Sequence, residues 1–234
     1  QIDFVDVPNA VQSEISLVNT VNLRMNDPDF FPAVIANQIL GGDFNSYLNM
    51  NLREQHAWTY GASSSIGSGK YVTKFKASSA VRNTVTDSAV VQFVKEIKRI
   101  RTERVDPEVL RNVKAGYIGR FVMQVEKPQA VARYALNIET EKLPADFYEK
   151  YIQTINNVTA DDIYRVANKY FLLDNMRIVI VGKSSDVLPG LEKLQIPIHY
   201  FDKYGNPVEK PATKKEAPKD ISAKTVFENY INAI

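Results

Sequence analysis

Apolar and polar side chains alternate along the first part of the chain in a way that predicts strands. Residues 14–24 and 71–79 place their apolar side chains at every second position, and 57–66 is also strand-like. A period of two is typical of a half-buried strand, and the Gly-rich stretch 67–70 fits a hairpin connection. The nearly continuous apolar run 176–181 predicts one more strand, covered on both faces.

Helical spacing of apolar residues predicts helices over 27–40, 45–54 and 84–103, and another from residue 106. The first and the last of these begin with Asp next to Pro, at Asp27-Pro28 and Asp106-Pro107. We expect the Asp to cap the helix and the Pro to occupy its first turn.

Three further helices are predicted to begin at Pro128, Pro144 and Thr159. Thr159 and Asp162 resemble a capping box in which Asp replaces the usual Glu or Gln.

The order of these elements predicts an α+β fold with a mainly antiparallel sheet and helices packed on one face. We expect residues 1–201 to form this domain. Residues 202–224 are rich in Pro and charged side chains and are interpreted as a linker. Residues 225–234 regain helical spacing and are expected to be the start of a following, truncated segment.

Composition narrows the possible functions. The chain has 29 basic and 27 acidic residues and a net charge of +2, well mixed along its length, which argues against a nucleic-acid platform. No apolar run of 18 residues occurs, so membrane insertion is not expected. The chain has no cysteine, which excludes disulfides, thiolate zinc sites and cysteine nucleophiles. Its first residue is Gln1 instead of Met, so we expect a processed product or a fragment.

Catalytic motifs are missing from the sequence. Its two histidines, His56 and His199, are 143 positions apart, and neither HExxH nor HxxEH occurs. A hydrolytic zinc site needs about three protein ligands, usually with two His at helical spacing. No Gly-x-Ser-x-Gly elbow is present either. We therefore predict no catalytic and no metal-binding residues, with His56 in a loop and His199 packed at a strand end.

The most informative stretch is residues 40–61. It combines a Gly-Gly turn, a short helix ending in Leu-Arg-Glu, a loop and an aromatic-Gly pair at a strand start, and it reads LGGDFNSYLNMNLREQHAWTYG. This ordered combination resembles the second, inactive domain of the pitrilysin/insulinase-type zinc metallopeptidases (the inverzincins, which include processing peptidases). The resemblance implies a metallopeptidase-like α/β sandwich domain.

The resemblance implies a substrate-contacting pair and a catalytic partner. In that family an Arg and a Tyr seven positions apart contact the substrate, and Arg53 and Tyr60 have this spacing. The zinc site lies in a separate half, so the resemblance implies zinc only in an HxxEH-bearing partner, on the same full-length chain or on another subunit. A peptide would be bound between the halves and cut there, and this chain would not be catalytic alone.

Other interpretations of the same residues stay open. Arg53 could instead pair with Glu54, with Asp43 or with the end of its helix, and Tyr60 could pack on a neighbouring ring. The whole chain could be a non-catalytic scaffold or assembly subunit of the same fold, or an unrelated α+β binding module. Similar proteins are often exported, so we expect the periplasm or cell envelope, with the cytoplasm as the alternative.

Overall fold

A computed structural model of the chain describes residues 1–212 and 223–232, and its strands form one sheet. The order across the sheet is β3-β4-β2-β5-β1-β6. The strands are β1 (Ile2–Asp6), β2 (Gln12–Val21), β3 (Ala62–Ile66), β4 (Thr73–Arg82), β5 (Arg177–Gly182) and β6 (Ile198–Phe201).

Helices fill most of the remaining described chain. The α-helices are α1 (Phe30–Asn37), α2 (Tyr47–Asn49), α3 (Thr86–Thr102), α4 (Pro107–Val125), α5 (Pro128–Thr140), α6 (Tyr151–Asn157), α7 (Ala160–Tyr170), α8 (Ser184–Leu191) and α9 (Ala223–Ile231). Two π-helical segments, Gln38–Gly42 and Met50–Gln55, continue α1 and α2. Short 3₁₀ turns lie at Asn83–Val85, Leu173–Asn175 and Glu192–Leu194.

The sheet is mixed but mainly antiparallel, which confirms the predicted α+β class. Strand β2 pairs antiparallel with β4 and β5, and β3 pairs antiparallel with β4. Strand β1 is parallel to both β5 and β6. Strands β1 and β6 and helix α8 were not predicted. Strand β1, the first in the chain, lies between β5 and β6, the last two.

One face of the sheet forms the core. Ile15 and Leu17 of β2 and Phe75 of β4 are buried, whereas Glu14 and Lys74, on the alternate positions, are exposed. This alternation is the expected result of a sheet covered by helices on one side. In β5 only one face is fully buried, so the prediction that both faces are covered was too strong.

The helix predicted to start at Asp27 and Pro28, with the Asp as its cap, begins instead at Phe30, and the Asp27 carboxylate accepts from the backbone N–H of Arg24 (2.7 Å). Asp29 is at the capping position but makes no capping hydrogen bond, and it is only 5% exposed. Its carboxylate instead binds α7: it accepts hydrogen bonds from Arg165, from Lys169 (2.6 Å) and from the Tyr170 hydroxyl (3.1 Å). Asp29 therefore fastens the beginning of α1 to a helix far along the sequence.

Two other predicted caps are confirmed. Asp106 accepts hydrogen bonds from the backbone N–H groups of Glu108 and Val109 at the start of α4. The Thr159 hydroxyl and the Asp162 carboxylate form a complete capping box at α7. Pro144, in contrast, starts irregular turns, and the next helix begins only at Tyr151.

The end of the predicted domain is partly described. Val208 N–H donates to the carbonyl oxygen of Tyr200, and Phe201 is bridged to Pro207, so the chain folds back along β6 as it leaves the sheet. Residues 213–222 and 233–234, which contain ten of the 23 residues of the predicted linker and the end of the chain, lie outside the described residues. The domain boundaries stay a prediction. No helix within residues 1–212 or 223–232 is both long and apolar enough to cross a membrane.

Candidate peptide-contact site

The Gly-Gly turn at the end of the first π-helical segment lies directly against the edge strand β3. A Cβ added to Gly41 would be 2.5 Å from the backbone nitrogen of Ser64 and 2.9 Å from the Leu48 side chain. No side chain fits there without moving the backbone of β3. Glycine at this position lets the helical backbone contact strand β3 directly. This contact places the following segment, which carries Arg53 and Tyr60, at the edge of the sheet.

Side chains from α1 close the outer edge of β3 at the same place. The Asn37 amide donates to the carbonyl oxygen of Ser64 (3.2 Å), and the Ser64 hydroxyl donates to the amide oxygen of Asn37 (2.8 Å). Both residues are buried. An edge strand normally offers unpaired backbone groups to another chain, and here the group at Ser64 is already satisfied.

Asn49 connects the two ends of the loop that carries the predicted pair. Its amide donates to the carbonyl oxygen of Phe44 (2.8 Å), and its amide oxygen accepts from the backbone N–H of Ala62, the first residue of β3 (3.3 Å). The side chain is only 5% exposed. One buried amide thus fixes both the segment before the short helix and the beginning of the strand.

Arg53 lies in the second π-helical segment, near its end, as predicted for the last turn of the short helix. Its guanidinium carbon is 4.7 Å from the centre of the Phe44 ring, and one guanidinium nitrogen is 3.6 Å from the Glu54 carboxylate. The side chain is 36% exposed. Asp43, the other acidic partner considered, pairs with Arg120 of α4 at 3.1 Å.

The loop after Arg53 folds back on the helix that carries it. Ala57 N–H donates to the carbonyl oxygen of Arg53 (3.0 Å), and Trp58 N–H donates to that of Leu52 (3.0 Å). Ala57 has a φ of +52°, which a non-glycine residue adopts only where the surrounding contacts require it. The turn is therefore tightly defined.

Tyr60 was predicted to lie on the strand. It lies instead in a bend two residues before β3. Its side chain is 94% exposed and makes no ring contact with another described residue. The backbone beside it is held by Ser79 of β4, whose hydroxyl bonds to the Thr59 hydroxyl and to the Gly61 carbonyl oxygen, both at 2.8 Å. An exposed phenol on a fixed backbone is available to a ligand.

The two histidines lie near opposite edges of the sheet. His56 stacks on Trp58 in the loop before β3, with ring centres 4.1 Å apart, and His199 is exposed on β6. Strands β3 and β6 are the two opposite edges, separated by five strand spacings or roughly 24 Å. Within the described parts of the chain no three His, Asp or Glu side chains are grouped so that they could hold a metal ion.

Three supporting residues were missed from the sequence: Phe44, Asn49 and Ser79. Phe44 and Asn49 stand inside the informative stretch 40–61, but only their distant partners reveal their roles. The one signal in the sequence that could have identified Phe44 is an aromatic residue close to the charged end of the short helix.

A profile of the family described as Peptidase M16 inactive domain matches residues 2–117. No curated protein has a sequence that matches the chain.

Several solved structures share the fold. A peptidase M16 inactive domain structure from Pseudomonas fluorescens has 21% sequence identity and a TM-score of 0.71, with 78% of this chain and 43% of that chain covered. The periplasmic protease PqqL from Escherichia coli has 16% identity and a TM-score of 0.62, with 77% and 20% covered. A chain of complex III from Candida albicans has 12% identity and a TM-score of 0.64, with 83% and 49% covered. The chain thus spans less than half the length of these relatives.

Proposed function

We propose that this chain, which carries an inactive domain of the M16 (pitrilysin-type) peptidases, is the substrate-contacting half of a zinc metalloendopeptidase. In this proposal an HxxEH-bearing half, on the same full-length chain or on a partner subunit, holds the zinc ion and cuts the peptide. The observation that carries the proposal is the pair of accessible polar groups on Arg53 and Tyr60, joined by a loop whose backbone is fixed at both ends.

The chemistry of the pair suits peptide carbonyl groups. A guanidinium offers a planar fork of N–H donors, and a phenol offers one O–H donor. Neither group has to generate a nucleophile, so both can act without a metal ion in this chain. If the donors bind a ground-state carbonyl they improve affinity, and if they bind an oxyanion that forms at the partner's zinc they increase the rate.

The contacts that Arg53 already makes are compatible with this role. Its ion pair with Glu54 is long, at 3.6 Å, and both side chains are about two-fifths exposed (36% and 43%). Exposed pairs of this kind contribute on the order of 0–1 kcal/mol, so a peptide carbonyl can replace the carboxylate at little cost. The guanidinium also lies over the Phe44 ring, a cation–π contact that does not use its N–H groups as hydrogen-bond donors.

Cleavage by separate and combined halves tests the proposal. We expect the isolated chain to hydrolyse no peptide at any zinc concentration, and the full-length protein, or the chain mixed with an HxxEH-bearing half, to hydrolyse peptides in a chelator-sensitive manner. Hydrolysis by the isolated chain that zinc restores after chelation would contradict the assignment. A stable complex that hydrolyses nothing would instead favour the scaffold or assembly role.

The proposed compartment is the periplasm or the cell envelope. It is supported by the structural similarity to a protease described as periplasmic, at 16% identity. Fractionation of cells that produce the full-length protein tests this, and recovery in the cytoplasm would contradict it.

A further inference from the structure

A small cavity of about 170 Å³ lies on the same edge of the sheet as Tyr60, but at the other end of strand β3. Tyr60 precedes β3 and the cavity is beyond its other end, so the length of the strand, roughly 17 Å, separates the two places. The cavity is formed by three segments that are distant in sequence, and its lining residues are Arg24, Asn26, Lys70, Thr140, Glu141 and Lys142.

Backbone contacts bring these three segments together. Gly69 N–H donates to the carbonyl oxygen of Leu23 (3.0 Å), which pins the β3–β4 hairpin to the end of β2 and places Lys70 beside Arg24. On the third segment, Leu143 is buried and its N–H donates to the carbonyl oxygen of Ile138 (2.9 Å). The cavity wall is thus part of the folded domain.

Lys142, directly before Leu143, has a φ of +53°. A lysine rarely adopts this left-handed conformation, which in folded proteins is maintained by the surrounding structure and often occurs at binding sites. From this turn, Lys142 lines the cavity.

The charges around the cavity are unbalanced. Three cationic side chains, Arg24, Lys70 and Lys142, meet one carboxylate, Glu141. None of the three forms an ion pair with a carboxylate of residues 1–212 or 223–232, although many other basic side chains of the domain do. Lys70 lies over the Tyr71 ring, and the nearby Asp27 carboxylate accepts from the backbone N–H of Arg24. The cations therefore remain available to an anion.

We infer that this cavity binds an oxyanion group, a carboxylate or a phosphate. It is smaller than the roughly 300–1,000 Å³ of pockets that enclose whole small molecules, so it fits a terminal group. A guanidinium and two ammonium groups supply charge-assisted hydrogen bonds to such a group, and Asn26 and Thr140 add neutral polar side chains. The inference does not depend on the proposed peptidase role.

Titration of the isotopically labelled chain with inorganic phosphate, at constant ionic strength, tests the inference by NMR. We expect saturable shifts of the backbone signals of Gly69, Lys70 and Lys142. The double variant Lys70→Gln/Lys142→Gln should raise Kd at least tenfold. The control Lys95→Gln/Lys193→Gln removes the same charge from exposed lysines elsewhere and should leave Kd within twofold.

A variant of opposite sign makes the test sharper. Glu141→Gln removes the one carboxylate in the lining and should lower Kd about threefold, because it removes repulsion of the anion. Non-saturable shifts, equal weakening in the two double variants, or no gain in Glu141→Gln would overturn the inference.

A second arm identifies the source of the group. A glutamate-rich peptide that shifts the same signals, while its glutamine counterpart does not, would assign the cavity to peptide carboxylates. Binding of phosphate alone would assign it to free phosphate, and binding of neither would refute it.

Discussion

The variant Arg53→Ala is expected to lower kcat/KM at least about tenfold in the full-length or reconstituted peptidase, and Tyr60→Phe should have an effect of similar size. A hydrogen bond that involves a charged group, either the Arg53 guanidinium or an oxyanion that accepts from the Tyr60 hydroxyl, contributes about 1.5–3 kcal/mol, and each 1.36 kcal/mol corresponds to about a tenfold change in rate. Phe at position 60 keeps the ring and removes only the hydroxyl, so it isolates the donor.

The kinetic pattern distinguishes the two possible roles of each donor. Loss of a ground-state contact raises KM and leaves kcat unchanged, whereas loss of a transition-state contact lowers kcat and kcat/KM together. Arg133→Ala and Tyr204→Phe are matched controls on exposed positions outside the site, and both should retain full activity. If the site variants matched these controls, the pair would have no functional role.

Asp29→Ala is expected to lower the free energy of unfolding by about 2–4 kcal/mol at pH 7. The substitution removes the acceptor for Arg165, Lys169 and the Tyr170 hydroxyl, and the hydroxyl is left buried without its partner. The figure is below the cost of breaking a fully buried ion pair because both cations are about half exposed (50% and 58%). Urea denaturation measures the change.

The effect of Asp29 should depend on pH. Burial raises the pKa of this carboxyl, but hydrogen bonds from Lys169, Arg165 and Tyr170 lower it by more, so the pKa lies below its usual value. A pKa that is lower in the folded state stabilises the protein above the unfolded pKa of about 3.9, and this stabilisation is lost as the pH falls through the folded pKa. The difference between wild type and Asp29→Ala should therefore be constant above about pH 5 and shrink below about pH 4.

Asp161→Ala provides the control for this measurement. Asp161 also pairs with an arginine, Arg104, at 2.6 Å, but its side chain is 81% exposed. Its removal should change stability by less than about 1 kcal/mol at any pH. Equal decreases in the free energy of unfolding of the two variants would show that the buried contacts of Asp29 with α7 stabilise the fold no more than an exposed ion pair does.

The antiparallel part of the fold could be predicted because its signal is local. Strands β2 and β4 are ten residues each and bury every second side chain, so their periodicity is visible in the sequence. Strand β6 has only four residues, and β1 has three buried residues in succession with no alternation. These strands depend on parallel pairing with each other and, for β1, with β5, contacts that no local pattern records.

The errors at the candidate site and at α1 have the same cause. Asp27 and Pro28 have the sequence signature of a helix start, but α1 begins only at Phe30, where partners 136–141 positions away bind the Asp29 carboxylate. Tyr60 reads as a strand residue, yet Asn49 and Ser79 hold the chain so that β3 starts two residues later. Local pattern predicts which residues lie near each other along the chain, and buried polar contacts decide their final positions.

Photo-cross-linking from position 60 tests most directly whether this half touches the substrate. A photoreactive phenylalanine analogue would replace Tyr60 in the full-length protein, whose HxxEH glutamate is changed to Gln so that the bound peptide is not cut. The same analogue at Tyr204, an exposed tyrosine near the end of the domain, is the control. Our account predicts a peptide adduct from position 60 that excess unlabelled peptide abolishes, and none from position 204. No adduct at position 60, or equal yields at the two positions, would contradict it.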